Sequence, residues 1–217
     1  MKSFLIIGMG KFGAYLCKAL AERGSEVVIV DKDEDKVQEV MQIATTARIA
    51  DCTKREVLQT FDVESFDACI VCVGEDFQSS LEATDLLREL GAKEIISMAS
   101  TDAQARLLRR IGAHSTVFPE RDTAERMAVS LADDKIFEYF AMSGGCSMYE
   151  IKAPRRWLGQ SIVRVNVRVK YGVNIAAVRL ANGEIEVPGP DYVFREEEHL
   201  WVIGREEQVE RLLRHAD

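Results

Sequence analysis

The sequence is short of histidine, proline and net positive charge. It has three histidines and four prolines in 217 residues, and its 28 lysines and arginines stand against 36 aspartates and glutamates, for a net charge of −8. Each shortage excludes something. A chain this acidic lacks the basic surface that a phosphate backbone demands, so nucleic acid is not expected as a partner. No basic helix-turn-helix segment is visible. No apolar run approaches the ~20 residues that cross a bilayer. Met1-Lys2-Ser3 leads directly into a core-strand pattern, so no secretory leader is expected and the expected compartment is the cytoplasm. The five cysteines are odd in number, which in that setting argues against a disulfide framework. Cys69 and Cys72 match C-x-x-C, but they fall in a predicted strand whose alternation sends the two thiols to opposite faces. They read as small buried residues, not as a redox pair.

What is present begins at the first strand. Phe4-Leu5-Ile6-Ile7 is followed by Gly8-Met9-Gly10-Lys11-Phe12-Gly13, an amphipathic run, then Val27-Val28-Ile29-Val30-Asp31. This is strand, glycine turn, helix, strand and acid, the context that the dinucleotide-binding fingerprint requires. Gly8 permits the tight turn, Gly10 lets the backbone approach a pyrophosphate, and Gly13 lets the helix pack close to the strand. The helix N-terminus offers unpaired N–H groups to phosphate, and Asp31 stands where a carboxylate accepts from ribose hydroxyls.

The pattern then repeats. Strands are predicted over residues 45–50, 67–73, 94–98 and 115–118, alternating with helices, one of which is capped by Asp33 and carries Lys36 on its exposed face. Asp51 or Thr53 is expected to cap the helix holding Val57 and Leu58. The fold class is therefore α/β, a Rossmann-like doubly wound parallel sheet. Gly8, Asp31, Asp51 and Gly74 all fall at C-terminal strand ends, where such sheets bind ligands. A long helix is predicted over residues 123–142, with apolar positions on more than one face, which suggests a dimer contact. Ser143-Gly144-Gly145 reads as a hinge. Beyond it lies a small α+β lobe with strands over 147–152, 173–180, 185–187 and 200–203, a short helix capped by Ser161, a hairpin at Asn182-Gly183 and a last helix over 206–215.

Several segments together carry a resemblance: the glycine turn, Val30-Asp31, Ala50-Asp51-Cys52-Thr53, Val73-Gly74-Glu75, Phe118-Pro119-Glu120-Arg121-Asp122 and Val167-Arg168-Val169-Lys170-Tyr171-Gly172. In this order they resemble RCK proteins, the cytosolic regulatory subunits of Ktr/Trk-type potassium uptake systems. The resemblance covers essentially the whole chain. It implies a nucleotide-binding domain over 1–122, a crossover and dimerisation helix over 123–143, and a C-terminal domain over 144–217. It also implies a non-enzymatic gate: homodimers assembling into an octameric ring on an integral-membrane potassium-translocating subunit, at the inner face of the cell membrane, controlled by ATP and ADP.

Carried onto this sequence, the family's nucleotide site comprises Gly8, Met9, Gly10, Lys11, Phe12, Gly13, Asp31, Lys32, Asp51, Cys52, Thr53, Val73, Gly74, Glu75 and Gln78. Lys11 would reach a terminal phosphate, as a cation there suits a triphosphate. Glu120 would approach the phosphates of a neighbouring subunit through Mg²⁺ or Ca²⁺. Met98 stands where some relatives carry a lysine, which keeps NAD(H) open as the alternative ligand to ATP/ADP. Ile162, Val163, Arg168, Asn174 and Pro190 stand where the family can bind cyclic di-AMP. The competing reading is a small NAD(H)-dependent oxidoreductase or an NADH-sensing regulator. For hydride transfer the acid–base candidates are thin. His114 precedes a strand on the side away from the predicted ligand, His199 lies in the small lobe and His215 near the end. None of Tyr15, Tyr139, Tyr149, Tyr171 and Tyr192 begins a Tyr-x-x-x-Lys pair.

Overall fold

Strict alternation along the first strand decides how the first half of the chain folds. In β1 (Ser3–Ile7), Leu5 and Ile7 belong to one buried cluster and Ile6 to another, because successive side chains leave a strand on opposite faces. A strand apolar on both faces must be covered on both. The computed structural model describes residues 1–74 and 76–215, in two units, Met1–Arg121 and Asp122–Asp217.

In the first unit, β1 is followed by α1 (Lys11–Glu22), β2 (Glu26–Asp31), α2 (Glu34–Val40), β3 (Thr46–Ile49), α3 (Arg55–Gln59), β4 (Ala68–Val71), α4 (Phe77–Glu89), β5 (Ile95–Met98), α5 (Asp102–Ile111) and β6 (Ser115–Val117). The six strands are parallel, in the order β3-β2-β1-β4-β5-β6. The order reverses between β1 and β4, which makes the crevice over their C-terminal ends the switch point. Cys17, Val37 and Val40 from α1 and α2 cover one face with Ile6, Val27, Ile29 and Ile70. Leu58, Leu87 and Leu108 from α3, α4 and α5 cover the other with Leu5, Val30, Val71 and Ile95. Leu5, Ile6, Ile29, Leu58, Leu87, Ile95 and Leu108 are fully buried, each contributing about 1.5–3 kcal/mol. Cys69 and Cys72 fall in different clusters, as alternation requires, and burial pushes both thiols up to about 12.

The second half departs from the sequence reading at one place. The helix expected over 123–142 is two elements, α6 (Pro119–Ala132) and a strand, β7 (Ile136–Ala141). Asp133 ends the helix by turning its carboxylate onto the Lys135 N–H at 2.9 Å, while its carbonyl accepts from the Ile136 N–H; short acidic side chains compete for backbone in this way. Ile136-Phe137-Glu138-Tyr139-Phe140 is then a β-branched and aromatic run that suits a strand. It pairs antiparallel with β8 (Ser147–Lys152) across a turn in which Gly144 and Gly145 take φ of 80° and 77°. The segment read as a hinge is therefore the turn of a hairpin.

After β8 come α7 (Ile162–Val165), α8 (Val167–Tyr171), β9 (Asn174–Arg179), β10 (Ile185–Glu186), β11 (His199–Gly204) and α9 (Glu206–His215). The five strands form one antiparallel sheet in the order β10-β9-β11-β8-β7. Ser161 caps α7 through the Arg164 N–H. In the β9–β10 hairpin Gly183 alone takes positive φ, and Asn182 instead accepts the Glu184 N–H on its carboxamide. Trp157, Val165, Val167, Val178, Phe194, Leu200, Val202 and Leu212 make the core. Glu150 is buried at 3% exposure. Its Oε1 accepts from Arg179 Nε at 2.6 Å and lies 2.7 Å from His199 Nδ1, which satisfies a charge that burial would otherwise make costly. The Arg179 guanidinium also lies 2.6 Å from His199 Nδ1. A guanidinium only donates and a carboxylate only accepts, so that nitrogen serves one partner at a time.

Candidate functional site

The glycine turn is built by packing on two sides. Gly8 sits at φ 96°, and a side chain there would press on the Cys72 carbonyl carbon at 3.0 Å. At Gly13 a Cβ would fall inside the van der Waals shell of the Gly8 carbonyl oxygen. Both glycines are thus required by the protein's own packing. Gly10 differs: its φ is −63°, and a Cβ there meets nothing within 4 Å. Packing does not require a glycine at this position.

The start of α1 lacks the side-chain cap that α2, α4 and α5 carry. Asp33 caps α2 through the N–H groups of Asp35 and Lys36, Asp76 caps α4 through Ser79, and Thr101 caps α5 through Gln104. Gly10 offers α1 no side-chain cap, the first turn holds no acid, and its first residue is the cation Lys11. A positive charge there opposes the helix dipole, so the helix is left with free N–H groups and a cation pointing the same way.

Asp31 is fixed from both sides. Its Oδ2 accepts the Met9 N–H at 2.6 Å and its Oδ1 the Asp33 N–H at 2.9 Å. Asp51 is fixed similarly: its Oδ1 accepts the Thr53 hydroxyl at 2.7 Å and the Thr53 N–H at 3.0 Å. These bonds, the side-chain one foremost, hold its carboxyl below the usual range. Asp51 and Thr53 therefore bind each other, and neither side chain caps α3, whose N-cap is Lys54.

These groups surround a cleft of about 610 Å³. Of the residues expected at a ligand site, Gly8, Gly10, Lys11, Phe12, Asp31, Lys32, Asp51, Cys52, Thr53, Val73, Gly74 and Glu120 line it. Met9 and Gly13 do not: Met9 is buried behind the turn and touches the site through its N–H bond to Asp31, and Gly13 packs on Gly8. Gln78 does not line the cleft either. It is exposed and bonds Glu82 at 2.8 Å, while Asp76, Ser79 and Ala83 of the same helix start face the cleft. Positions three and four apart share a helix face, and 78 lies off it. Glu75 lies outside the described residues. Lys36, placed on the exposed face of α2, also lines the cleft, as do Met98 and Ser100.

The thiols of this cleft are inert, Cys52 pushed up to about 12 by burial and by the charges of Asp51 and Asp31, and Cys72 by burial. Among the described residues no histidine lines it. His114 Nδ1 accepts the Ile95 N–H at the start of β5, the strand end away from the cleft. Glu120 lines the cleft of its own chain, and among the described residues no group of three or more His, Cys, Asp or Glu is gathered as metal ligands. In the second unit, Val163 donates its N–H to the Pro190 carbonyl, and Ile162 packs against the core. Arg168 and Asn174 are exposed on α8 and β9. A cavity of about 390 Å³ in that unit is lined instead by Ile136, Tyr139, Tyr149, Val209 and neighbours.

Two family models match the chain, the TrkA-N domain over residues 4–119 and the TrkA-C domain over residues 146–216. The chain belongs to the TrkA family of RCK proteins. Within this RCK family it is 39% identical to the Ktr system potassium uptake protein C of Bacillus subtilis, over 97% of this chain and 95% of that one. It is 34% identical to protein A of the same organism's Ktr system, with the same coverage. A solved GsuK channel bound to NAD shares the RCK fold with a TM-score of 0.67 and 19% identity, covering 95% of this chain. The chain spans 38% of that GsuK chain. This RCK protein is thus a Ktr-like regulatory protein of potassium uptake and not an enzyme. No helix among the described residues is long and apolar enough to cross a membrane.

Proposed function

We propose that the chain is the nucleotide-responsive regulatory subunit of a potassium uptake system, and that ATP or ADP occupies the cleft of the first unit. The observation that carries the reading is Gly10. Packing accounts for Gly8 and Gly13 but not for Gly10, whose bare Cα faces open space. A ligand brought against the backbone accounts for it, and the free N–H groups of α1 beside Lys11 specify that ligand as anionic phosphate. Asp31 and Asp51, both oriented by hydrogen bonds from neighbouring residues, suit the ribose. Glu120 on the same cleft is a carboxylate near the terminal phosphates, an arrangement that calls for a bridging divalent cation.

The membrane partner follows from the likeness to Ktr uptake proteins. Assembly of copies into dimers and an octameric ring is supported by α6, which buries none of its described residues and leaves Met127 55% and Leu131 78% exposed. ATP and ADP then act by binding the shapes of that ring unequally, since only differential affinity shifts an equilibrium. The test is a thermal-shift titration with ATP, ADP, NAD⁺ and NADH, with and without Mg²⁺. Ligands that bind the folded form alone raise its melting temperature, by about 2.7 kcal/mol of stability at a hundredfold excess over Kd. ATP and ADP are expected to stabilise. No shift with any nucleotide would overturn the reading.

A further inference from the structure

The two halves of the cleft differ. In a sheet of this order, the first nucleoside lies over the β1–β2–β3 half, the phosphates cross the start of α1, and the second nucleoside of a dinucleotide continues over the β4–β5 half. On the first half are Asp31, Lys32, Lys36, Asp51, Cys52 and Thr53. On the second are Val73, Gly74, Asp76, Met98, Ser100 and Glu120. The cations of the wall, Lys11, Lys32 and Lys36, all stand at the turn or on the first half.

The second half is also partly filled. β4 and β5 run in register, Val71 beside Ser97, so Met98, which ends β5, stands beside the loop that follows β4. Its terminal methyl lies directly over Gly74: a Cβ on Gly74 would collide with Met98 Cε. The space cleared by this glycine is occupied by the chain itself. Asp76 on this half is tied to the start of α4. Its oxygens accept the Ser79 N–H at 3.1 Å and the Ser79 hydroxyl at 2.6 Å.

We propose that Met98 sets the length of ligand the cleft admits, taking a nucleoside di- or triphosphate and holding back a dinucleotide at its second nucleoside. The proposal rests on the nucleotide reading above and makes Met98 a specificity-determining residue of that site. A thioether chain is flexible, so the block is a bias and not a wall.

The test compares ADP and NADH by calorimetry on the full chain, in the wild type, Met98→Ala and Met98→Leu. In the wild type ADP is expected to bind at least about tenfold more tightly than NADH, or 1.4 kcal/mol. Met98→Ala is expected to tighten NADH several-fold relative to ADP, while Met98→Leu keeps the wild-type ratio. A second measurement needs no variant that unfolds: with methyl-labelled methionine, the Met98 resonance should move far more with NADH than with ADP. Equal affinities in the wild type, an unchanged ratio in Met98→Ala, or equal displacement of the methyl resonance would each overturn the proposal while leaving a nucleotide site in place. Failure of the wild type to bind either ligand would overturn the nucleotide reading itself, and this proposal with it.

Discussion

Two alanines, placed at Gly13 and at Gly10, should have opposite consequences. At Gly13 the added methyl collides with the Gly8 carbonyl oxygen, a backbone atom that cannot swing aside. Overpacking of this kind costs about 1–3 kcal/mol, and for a chain of this size each kcal/mol lowers the melting temperature by about 2–4 °C. Gly13→Ala should therefore melt roughly 2–12 °C below the wild type without any ligand. At Gly10 the methyl meets nothing and φ is −63°, so the backbone accepts alanine unstrained. The gain of about 0.4–1 kcal/mol from a stiffer unfolded chain is offset by the poorer N-cap that alanine makes, a loss of similar size. The ligand-free melting temperature should stay within about 3 °C of the wild type. The difference appears on adding ADP. The wild type should gain about 2.7 kcal/mol at a hundredfold excess over Kd, and Gly10→Ala should gain little of it, because the methyl occupies the approach to the α1 N–H groups. Scanning fluorimetry with and without ADP reads all four values. A Gly10→Ala protein that folds normally and keeps the full ADP shift would refute the reasoning.

Other perturbations follow from the same geometry. Asp31→Asn should weaken nucleotide binding about tenfold to a hundredfold by calorimetry, the equivalent of one charge-assisted hydrogen bond; unchanged affinity would show that ribose binds elsewhere. Thr53→Ala should raise the Asp51 carboxyl in a carbon-detected NMR titration, since the Thr53 bonds hold it down. With its folded value depressed, Asp51 contributes stability that is complete above about pH 4 and fades as pH falls through the lowered value, and Thr53→Ala should shrink that acid-side loss. Glu150→Gln should lower the urea midpoint by the equivalent of about 2–3 kcal/mol, less than for a wholly buried pair because the Arg179 side chain is 38% exposed. Cys52 and Cys72, their thiols pushed up by burial, should resist iodoacetamide with or without nucleotide; peptide mass spectrometry showing rapid alkylation of either would contradict the burial assigned to them.

Much of the first unit is legible because its signals are local. The Ile6–Ile7 alternation, the glycine spacing and the cap at Asp33 each lie within a few residues of what they determine, and the strands they delimit carry Asp31 and Gly74 to one crevice. The misses required distant information. The run from Ile136 to Ala141 becomes a strand because β8 is there to pair with it; taken alone, its apolar residues continue the pattern of α6. Ser79 and not Gln78 faces the cleft because Asp76 sets the phase of α4. Met98 meets Gly74 across two strands, and Glu150, Arg179 and His199 are brought together from three strands, far beyond the reach of any periodicity.

The double fixing of Asp31 has a consequence for how fast and how tightly a ligand could be held. A carboxylate that swings freely must be frozen when a ribose arrives, and freezing one such side chain costs about 0.5–1.5 kcal/mol. Here the Met9 and Asp33 N–H groups have already frozen it, and that loss was taken when the chain folded. The same carboxylate ties the glycine turn to the first residues after β2. A ligand pressing on the phosphate end and one pulling at the ribose end would therefore load the same two backbone bonds, so the two ends of the first half should respond as one rigid lever.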